Sequence, residues 1–534
     1  MQTPSRPANR LIATLTKPSA EPSANESTKH NVTRHAIQAA QTSPNLAGKN
    51  RQRLLAKLGA SALSLAVVLS IGSARSYANE QAQTEAQTQA QQNTATYILE
   101  KPTKPGGGDL NPGVYTHPKS IADFQDMKVG LSVHWGPSSI GGKEISWSRG
   151  KEIPQAEYDA YYKQFNPTQF DAQAWMDLMH EGGMKYIMLT SKHHDGFALW
   201  DSKHSDYDIA NTPFKRNIVA ELVDAAKQND IVFGTYFSII DWYHPDYQPY
   251  DHGGPGELYP TDSTTPNFER YRMFMKQQLH ELIVDYGAKI IQLDGEWDPT
   301  WNHDLGSHLY AYLRLLDPTV IVNNRTDVGR EYLDPNTNMW DWQRYAGDFD
   351  ERERMVDWIQ KESHVFGKSV NPWQAWVTID QAQWSYNKTP RLLSSDEVII
   401  DLAKTIGDGG NYLINLGPKP DGSFDATQAD IIRTLGKWIK ANSEGVYGTR
   451  AGPYVNEGVY TSTQKGDSTF VFVLSAQDGM VDITTDADAT SKSIQSVIDS
   501  EGNKLGFDKT DTGIRITLND VPSAGNPVVM LKLD

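Results

Sequence analysis

The chain has 534 residues, no cysteine and a formal net charge of −16 at pH 7. The charge excludes the broad basic footprint that nucleic-acid binding needs, and the missing cysteines exclude disulfides, thiol catalysis, zinc–thiolate sites and N-terminal cysteine lipidation. With 38% hydrophobic and 10% aromatic residues, the chain can fill a large core; its length predicts two folded units plus a tail, since a barrel of about 250 residues or more counts as one domain.

Residues 1–50 are polar. Arg51, Arg53 and Lys57 then precede the apolar stretch LGASALSLAVVLSIG, which runs into SARSYA and NEQAQTEAQ. A basic flank, a short apolar run and small residues at Ser76 and Ala78 form a secretory signal pattern. Residues 1–78 are therefore expected to be an N-terminal extension and signal peptide, cleaved after Ala78, with export to the periplasm or the exterior. The apolar run is shorter than the ~20 residues of a comfortable membrane span, so no stable span is expected after cleavage. Arg51-Gln-Arg53 is not a twin arginine and leaves the export route open. Residues 79–97 are rich in Gln, Thr, Ala and Glu, and Pro102, Pro105 and Gly106–Gly108 follow. Such a segment buries too little apolar surface to offset its ordering entropy, which predicts a disordered linker over 79–109.

From 110 to 447 the texture alternates. VGLSVHW (129–135), YIMLTS (186–191), IVFGTYFS (231–238), KIIQLD (289–294), TVIVNN (319–324) and NYLINLG (411–417) read as strands. FDAQAWMDLMHEGG, IVAELVDAAKQN, FERYRMFMKQQLHELIVDYG and DEVIIDLAKTIGDGG space their apolar residues as helices do. Apolar strands alternating with helices imply a parallel sheet covered on both faces. Six or more such units predict a (β/α)8-like, TIM-type barrel of the α/β class. No GxGxxG or Walker pattern follows any of these strands, which counts against nucleotide-binding folds. From 448 to 534, FVFVLS, VDITTD, SIQSVI, GIRITL and VVMLKL are short runs separated by turn residues. They predict a small antiparallel β-sandwich, with packing against the barrel as its expected role.

Barrels of this type carry their functional groups at the C-terminal ends of the strands. The first strand ends in His134-Trp135-Gly136, the second in Lys192-His193-His194-Asp195-Gly196, and the third in Tyr236 with Asp241-Trp242-Tyr243-His244 beyond. The fourth ends in Asp294-Gly295-Glu296-Trp297 and the fifth in Asn323-Asn324-Arg325. One such strand end is ordinary; five on one rim mark a candidate site. Trp and Tyr faces stack on sugars, while His, Arg, Asn and carboxylates bond their hydroxyls. Two carboxylates then cleave a glycosidic bond: one attacks the anomeric carbon, and the other protonates the leaving oxygen and later deprotonates water, about 5–5.5 Å away in a retaining enzyme. Asp294, at a strand terminus with Arg325 as a candidate counter-ion, suits the attacking role. The rival reading is a metal site built from His134, His193, His194 and Asp195. Adjacent histidines on a strand point to opposite sides, so both reach one ion only where the strand bends, and no HExxH is present.

At these residues the chain resembles the α-L-fucosidases of glycoside hydrolase family 29. The stretches that carry the resemblance are VGLSVHWGPSS, FNPTQFDAQAW, KYIMLTSKHHDGFALWDSKHSDYDIANTPFKRNIVAELV, FGTYFSIIDWYHPDY, QLDGEW, NNRTD, GGNYLINLGPKPDGSF and EGVYGTR, in order from about 115 to 450. The resemblance implies a barrel-like catalytic domain, a C-terminal β-sandwich, double displacement with retention, a fucosylated carbohydrate as partner, and no metal or organic cofactor. Carried over residue by residue, it implies Asp294 as nucleophile, His134, His193, His194, Tyr236 and Arg325 as sugar-binding groups, Glu144 and Trp147 in a loop that contributes a carboxylate and an aromatic, and Trp297 and Trp384 lining the pocket. The acid/base falls on Glu353, counted from Gly347-Asp348-Phe349, with Glu351 and Asp348 as rivals. Read without the resemblance, DERER (350–354) is a solvated, charged helix start.

Two positions depart from the pattern of many relatives. Gln292 stands where they have Trp two residues before the nucleophile, and Trp373-Gln374 where they have Trp-Glu. A Trp-to-Gln change replaces an apolar wall with a hydrogen-bonding one, which extends the expected sugar from L-fucose to a 6-hydroxylated relative such as L-galactose. The same departures leave a second class of function open: a carbohydrate-binding protein that kept the barrel and lost the reaction.

Overall fold

Eight parallel strands make the central sheet of the computed structural model: β1 (Val129–Val133), β2 (Tyr186–Lys192), β3 (Val232–Ser238), β4 (Ile290–Asp294), β5 (Ile321–Val322), β6 (Asp350–Glu353), β7 (Trp373–Thr378) and β8 (Asn411–Leu416). The structure describes residues 106–247, 267–328, 333–334, 339–340, 344–354, 372–484 and 494–534. The expected signal peptide, its cleavage site and most of the expected linker fall outside them.

The strands follow the order β5-β4-β3-β2-β1-β8-β7-β6. A parallel bridge between Asn323 and Phe349 joins the two edges, through Asp348 N to Val322 O (2.7 Å) and Asn324 N to Phe349 O (2.9 Å). The sheet thus curls round to meet itself as a barrel. Two of its strands, β6 and β7, are absent from the runs that read as strands in the sequence.

Alternation along the strands sorts the side chains into two sets. Val129, Leu131, Ile187, Leu189, Ile291, Leu293, Ala375 and Ile414 join the large core beneath the outer helices. Tyr186, Met188, Tyr236, Ile290, Ile321, Phe349, Trp376 and Leu413 fill the interior. Phe124, from α1 (Pro118–Met127), packs on this inner set from the N-terminal end of the strands. Gly130 leaves room for the Tyr186 ring, whose carbons a Cβ there would meet at 2.4 Å.

The outer helices are α2 (Ala172–Glu181), α3 (Ile218–Gln228), α4 (Phe268–His280), α5 (His303–Leu316), α6 (Ser395–Gly407) and α7 (Ala426–Ala441). Each starts at Asp, Asn or Ser, whose side chain accepts from the first-turn amides: Asp171, Asn217, Asn267, Asn302, Ser394 and Asp425. Ser394 and Glu397 form a full capping box.

Beyond α7 come β9 (Arg450–Ala451), β10 (Tyr460–Lys465), β11 (Ser468–Val473), β12 (Met480–Thr484), β13 (Val497–Asp499), β14 (Phe507–Thr510), β15 (Gly513–Thr517) and β16 (Val529–Leu533). They form antiparallel sheets β9-β10-β11-β16-β13 and β12-β15-β14. β11 is buried on both faces. Val471 and Val473 join the sandwich core, while Phe470 and Phe472 join the barrel's core. The Trp438 indole on α7 donates to Val528 O at 3.0 Å, so the sandwich is welded to the barrel.

The start of the described chain corrects one expectation. Gly106–Asp109, read as the end of the linker, pack on the barrel. Gly106 O accepts from Gly347 N (2.7 Å) and Asp109 N donates to Arg344 O (2.9 Å). A Cβ on Gly106 would meet the Tyr310 hydroxyl at 2.1 Å, so this glycine serves close packing rather than chain freedom.

Candidate active site

Asp294 ends β4 facing the interior. Its Oδ2 accepts from the Tyr236 hydroxyl at 2.6 Å; its Oδ1 accepts from Arg325 Nη1 at 2.6 Å and from Gly295 N at 2.9 Å. Gly295 makes the turn at φ +103°, a region open to glycine. His194 Nε2 lies 3.6 Å from Oδ2. Burial works to raise the Asp294 carboxyl, but Arg325, His194 and the Tyr236 hydroxyl outweigh it and hold the group well below the usual carboxylate range. The residue is 7% exposed. The result is an ionised, nearly dry carboxylate at the barrel mouth.

Arg325 sits in the tight turn Asn324–Thr326 that follows β5. Its second terminal nitrogen, Nη2, donates to Glu353 Oε2 at 2.8 Å, and its Nε lies 3.9 Å from Glu351 Oε1. One planar guanidinium thus spans Asp294 and Glu353. Glu351 and Glu353 share the inner face of β6, but the Glu351 side chain is 0% exposed and that of Glu353 38%. Asp348 lies elsewhere. Buried where the sheet closes, it accepts from the Tyr310 hydroxyl, Arg314 Nη2 and the Val322 amide. That clasp removes it from the acid/base candidates.

The three histidines line the opposite side. His134 Nδ1 is 2.7 Å from Asn415 Oδ1, an acceptor, so Nδ1 carries the proton and Nε2 is left as an acceptor without a hydrogen bond among the described residues. His193 Nδ1 meets Ser146 Oγ and His194 Nδ1 meets Ser238 Oγ, each at 2.6 Å. A register shift between Thr190 and Lys192 bends the end of β2. Both adjacent imidazoles therefore turn inward, 4.2 Å apart, and Lys192 pairs with Asp241 at 3.1 Å. Burial pulls His134 and His194 down to about 4 and His193 well below its usual value, so all three are neutral at neutral pH. Among the described residues, no three His, Asp or Glu groups are disposed to hold a metal ion.

The loop after β2 is pinned from outside the barrel. Glu281, in the last turn beyond α4, accepts from the Trp200 indole, Ser202 Oγ and Lys203 N. Aromatic rings complete the mouth. Trp384 lies 4.3 Å from Trp376 and 5.2 Å from His134. Trp147 stacks on Trp297 at 5.7 Å and meets His194 and Trp242 edge-on; Trp297 is 43% exposed.

Several expectations change. Glu144 accepts from the amides of Trp384 (2.7 Å), Ser385 (3.3 Å) and Ile145 (3.0 Å). Its carboxylate clamps the loop after β1 to the loop after β7, with burial pushing it up to about 7. Gln292 and Gln374 lie below the mouth rather than in its wall. Gln292 Nε2 donates to Glu351 Oε1 at 2.9 Å and Gln374 Oε1 accepts from Tyr186 at 2.7 Å, and both residues are fully buried. Trp376, missed in the sequence, supplies the apolar wall: it faces inward on β7 against His134, Tyr236 and Trp384. The signal was available, because Gln374, Trp376 and Thr378 share one face once 373–378 is read as a strand.

A parallel barrel whose rim joins a dry ionised Asp to a second, solvent-reaching carboxylate, walled by neutral imidazoles and tryptophans, is the framework of a glycoside hydrolase. Residues 115–444 match the family model described as Alpha-L-fucosidase. The chain is 28% identical over 362 residues to plasma alpha-L-fucosidase of Rattus norvegicus, covering 63% of this chain and 72% of that protein. It is 27% identical over 436 residues to tissue alpha-L-fucosidase of the same species, covering 76% and 87%. The crystal structure of an alpha-L-fucosidase of family GH29 from Bacteroides thetaiotaomicron superposes with a TM-score of 0.69 at 27% identity, over 82% of this chain and 98% of that one. The structure of an alpha-L-fucosidase GH29 from the same organism, a mutant trapped as a covalent intermediate in complex with 2-fluoro-fucosyl fluoride, superposes equally well. The chain belongs to the alpha-L-fucosidase family, glycoside hydrolase family 29, and is a glycoside hydrolase of that class.

Proposed function

We propose that the protein is an exported, exo-acting, retaining α-L-fucosidase, with Asp294 as nucleophile and Glu353 as acid/base. The observation that carries this reading is the single Arg325 guanidinium bonded to both carboxylates. A compact fork of this kind holds its two partners a few ångströms apart, in keeping with the roughly 5–5.5 Å of a retaining pair. Asp294, kept ionised, attacks C1 while Glu353 protonates the leaving oxygen. Glu353 then takes a proton from water as the water oxygen attacks C1 and the bond to Asp294 breaks, which releases the sugar with its configuration retained. Glu353 suits the double role because it reaches solvent, whereas Glu351 is sealed. His134 Nε2 is a ready acceptor for a sugar hydroxyl. The trapped intermediate of the Bacteroides relative supports a covalent route.

L-Fucose is favoured over L-galactose. The Gln292 amide that prompted the 6-hydroxylated alternative is bonded to Glu351, away from the mouth, and the wall beside His134 is the pair Trp376 and Trp384. The test is hydrolysis of aryl α-L-fucoside against aryl α-L-galactoside, with proton NMR of the first-formed anomer. Fucoside preference with α-L-fucose appearing first is expected; β-product, galactoside preference or no turnover contradicts the reading, the last favouring a binding protein. Export rests on the basic, apolar and small-residue pattern of residues 51–78. N-terminal sequencing of the protein recovered outside the cytoplasm should begin at Asn79.

A further inference from the structure

Below the catalytic pair, the barrel interior holds a second polar layer with no evident part in the two-step reaction. Glu351, wholly buried, accepts from Gln292 Nε2 at 2.9 Å through Oε1 and from Asn323 Nδ2 at 3.1 Å through Oε2. Asn323 is fixed in turn by both main-chain groups of Leu293, the residue before Asp294. The groups facing Glu351 from the surrounding strands are Asp294 on β4, Arg325 after β5, Glu353 on β6 and the Tyr186 phenol on β2. Four carboxylates, Asp294, Glu296, Glu351 and Glu353, therefore surround one guanidinium. If all were ionised, one guanidinium would face several uncompensated negative charges, which a low-dielectric site does not sustain; apart from Glu353, the proposed proton donor, one sealed carboxyl keeps a proton.

We infer that Glu351 is the carboxyl that keeps it, a positioning residue whose ionisation decides whether Arg325 serves Asp294 and Glu353 or is drawn down toward Glu351, and that Gln292 is the partner that lets this proton be held in place. The inference rests on the reading of Asp294 and Glu353 as the catalytic pair. Depth selects Glu351: its neighbours Asp294 and Glu353 each have a direct guanidinium hydrogen bond, whereas Glu351 faces only Nε, at 3.9 Å. Burial pushes the Glu351 carboxyl up to about 8, Arg325 pulls it down, and Asp294 and Glu353 add to the rise. An amide suits this neighbour because it offers both a donor and an acceptor. Gln292 Oε1 has no hydrogen bond among the described residues. Turning the amide over places that oxygen where Nε2 now sits, 2.9 Å from Glu351 Oε1, as acceptor for a carboxylic-acid proton. Tryptophan, with only a donor, could not do this.

The test is the pH dependence of kcat and kcat/KM on an aryl α-L-fucoside with a strongly acidic phenol as leaving group. Such a substrate needs little protonation by Glu353, so the alkaline limb reports the other groups. Wild-type kcat should fall through an ionisation near pH 8 while KM stays within about twofold. Glu351→Gln should lose that ionisation, keeping its neutral-pH kcat at least one pH unit further into the alkaline range. Gln292→Met, which leaves the carboxyl but removes the amide that accepts its proton, should move the limb downward by at least half a unit. A merely structural role for either residue would lower activity without moving the limb. Superimposable profiles for wild type and Glu351→Gln overturn the inference. If Glu351→Gln does not fold, as judged by its thermal melt, an unshifted limb in Gln292→Met overturns it equally. Absence of fucoside turnover in wild type would instead defeat the reading of the site on which the inference rests.

Discussion

On the β4–β6 side of the barrel mouth, Asp294, Arg325 and Glu353 form a continuous chain of charge. On the β7–β8–β1 side, Trp376, Trp384 and His134 stack as uncharged rings, with burial holding the imidazole neutral. The first wall has its protons and charges prepared for bond cleavage; the second has shape and the His134 Nε2 acceptor, which has no hydrogen bond among the described residues. Catalysis and recognition are thus carried by different strands, and substitutions on the two walls should separate in kinetics. Damage to the charged wall falls on kcat, and damage to the aromatic wall falls on KM.

The largest effect is expected at Asp294. Asp294→Asn should lower kcat by roughly 10⁴-fold or more, the scale of losing a covalent nucleophile, with the thermal melt preserved; near-wild-type turnover would break the contrast at once. Glu353→Ala should cost about 10²–10⁴-fold on an unactivated fucoside and recover with azide on an activated one; rescue of Glu351→Ala instead would move the acid/base one layer down. Arg325→Lys should cost about 10²-fold, because a point charge cannot bond both carboxylates as the fork does. The sign of its pH effect is fixed. Arg325 depresses the Asp294 carboxyl, so weakening that contact raises it, and the acidic limb of kcat/KM must move to higher pH. A limb that stays or moves down contradicts the assigned ion pair. The smallest effect is expected on the aromatic wall. Trp384→Ala should raise KM about tenfold, in line with ~0.5–1.5 kcal/mol for a ring contact, with kcat within about threefold.

The same contrast explains what was legible in the sequence. The strands that read clearly, β1 to β5 and β8, are apolar runs, and β1 to β5 end in polar clusters, so both the barrel and Asp294 could be placed. β6 could not, because Asp-Glu-Arg-Glu carries no apolar period. It is a strand only because each inward carboxylate finds partners that no local pattern reveals: Gln292, Asn323 and Arg325 arrive from other strands. Trp376 was hidden for the complementary reason, as one aromatic among three in NPWQAWVTIDQAQW whose inward face depends on the register of β7. Glu144 and Asp348 have the right chemistry for the site, yet tertiary partners claim both, one as a loop clamp and one where the sheet closes. Gly106–Asp109 read as linker by composition, although all three of those glycines are buried against the barrel.

The central claim is that Asp294 attacks the sugar. Incubation with 2-fluoro-fucosyl fluoride, followed by proteolysis and mass spectrometry, tests it directly. One fluorofucosyl group should appear per chain, on the peptide containing Asp294, with matching loss of activity. A label on any other carboxylate, or inactivation with no covalent adduct, would contradict the account.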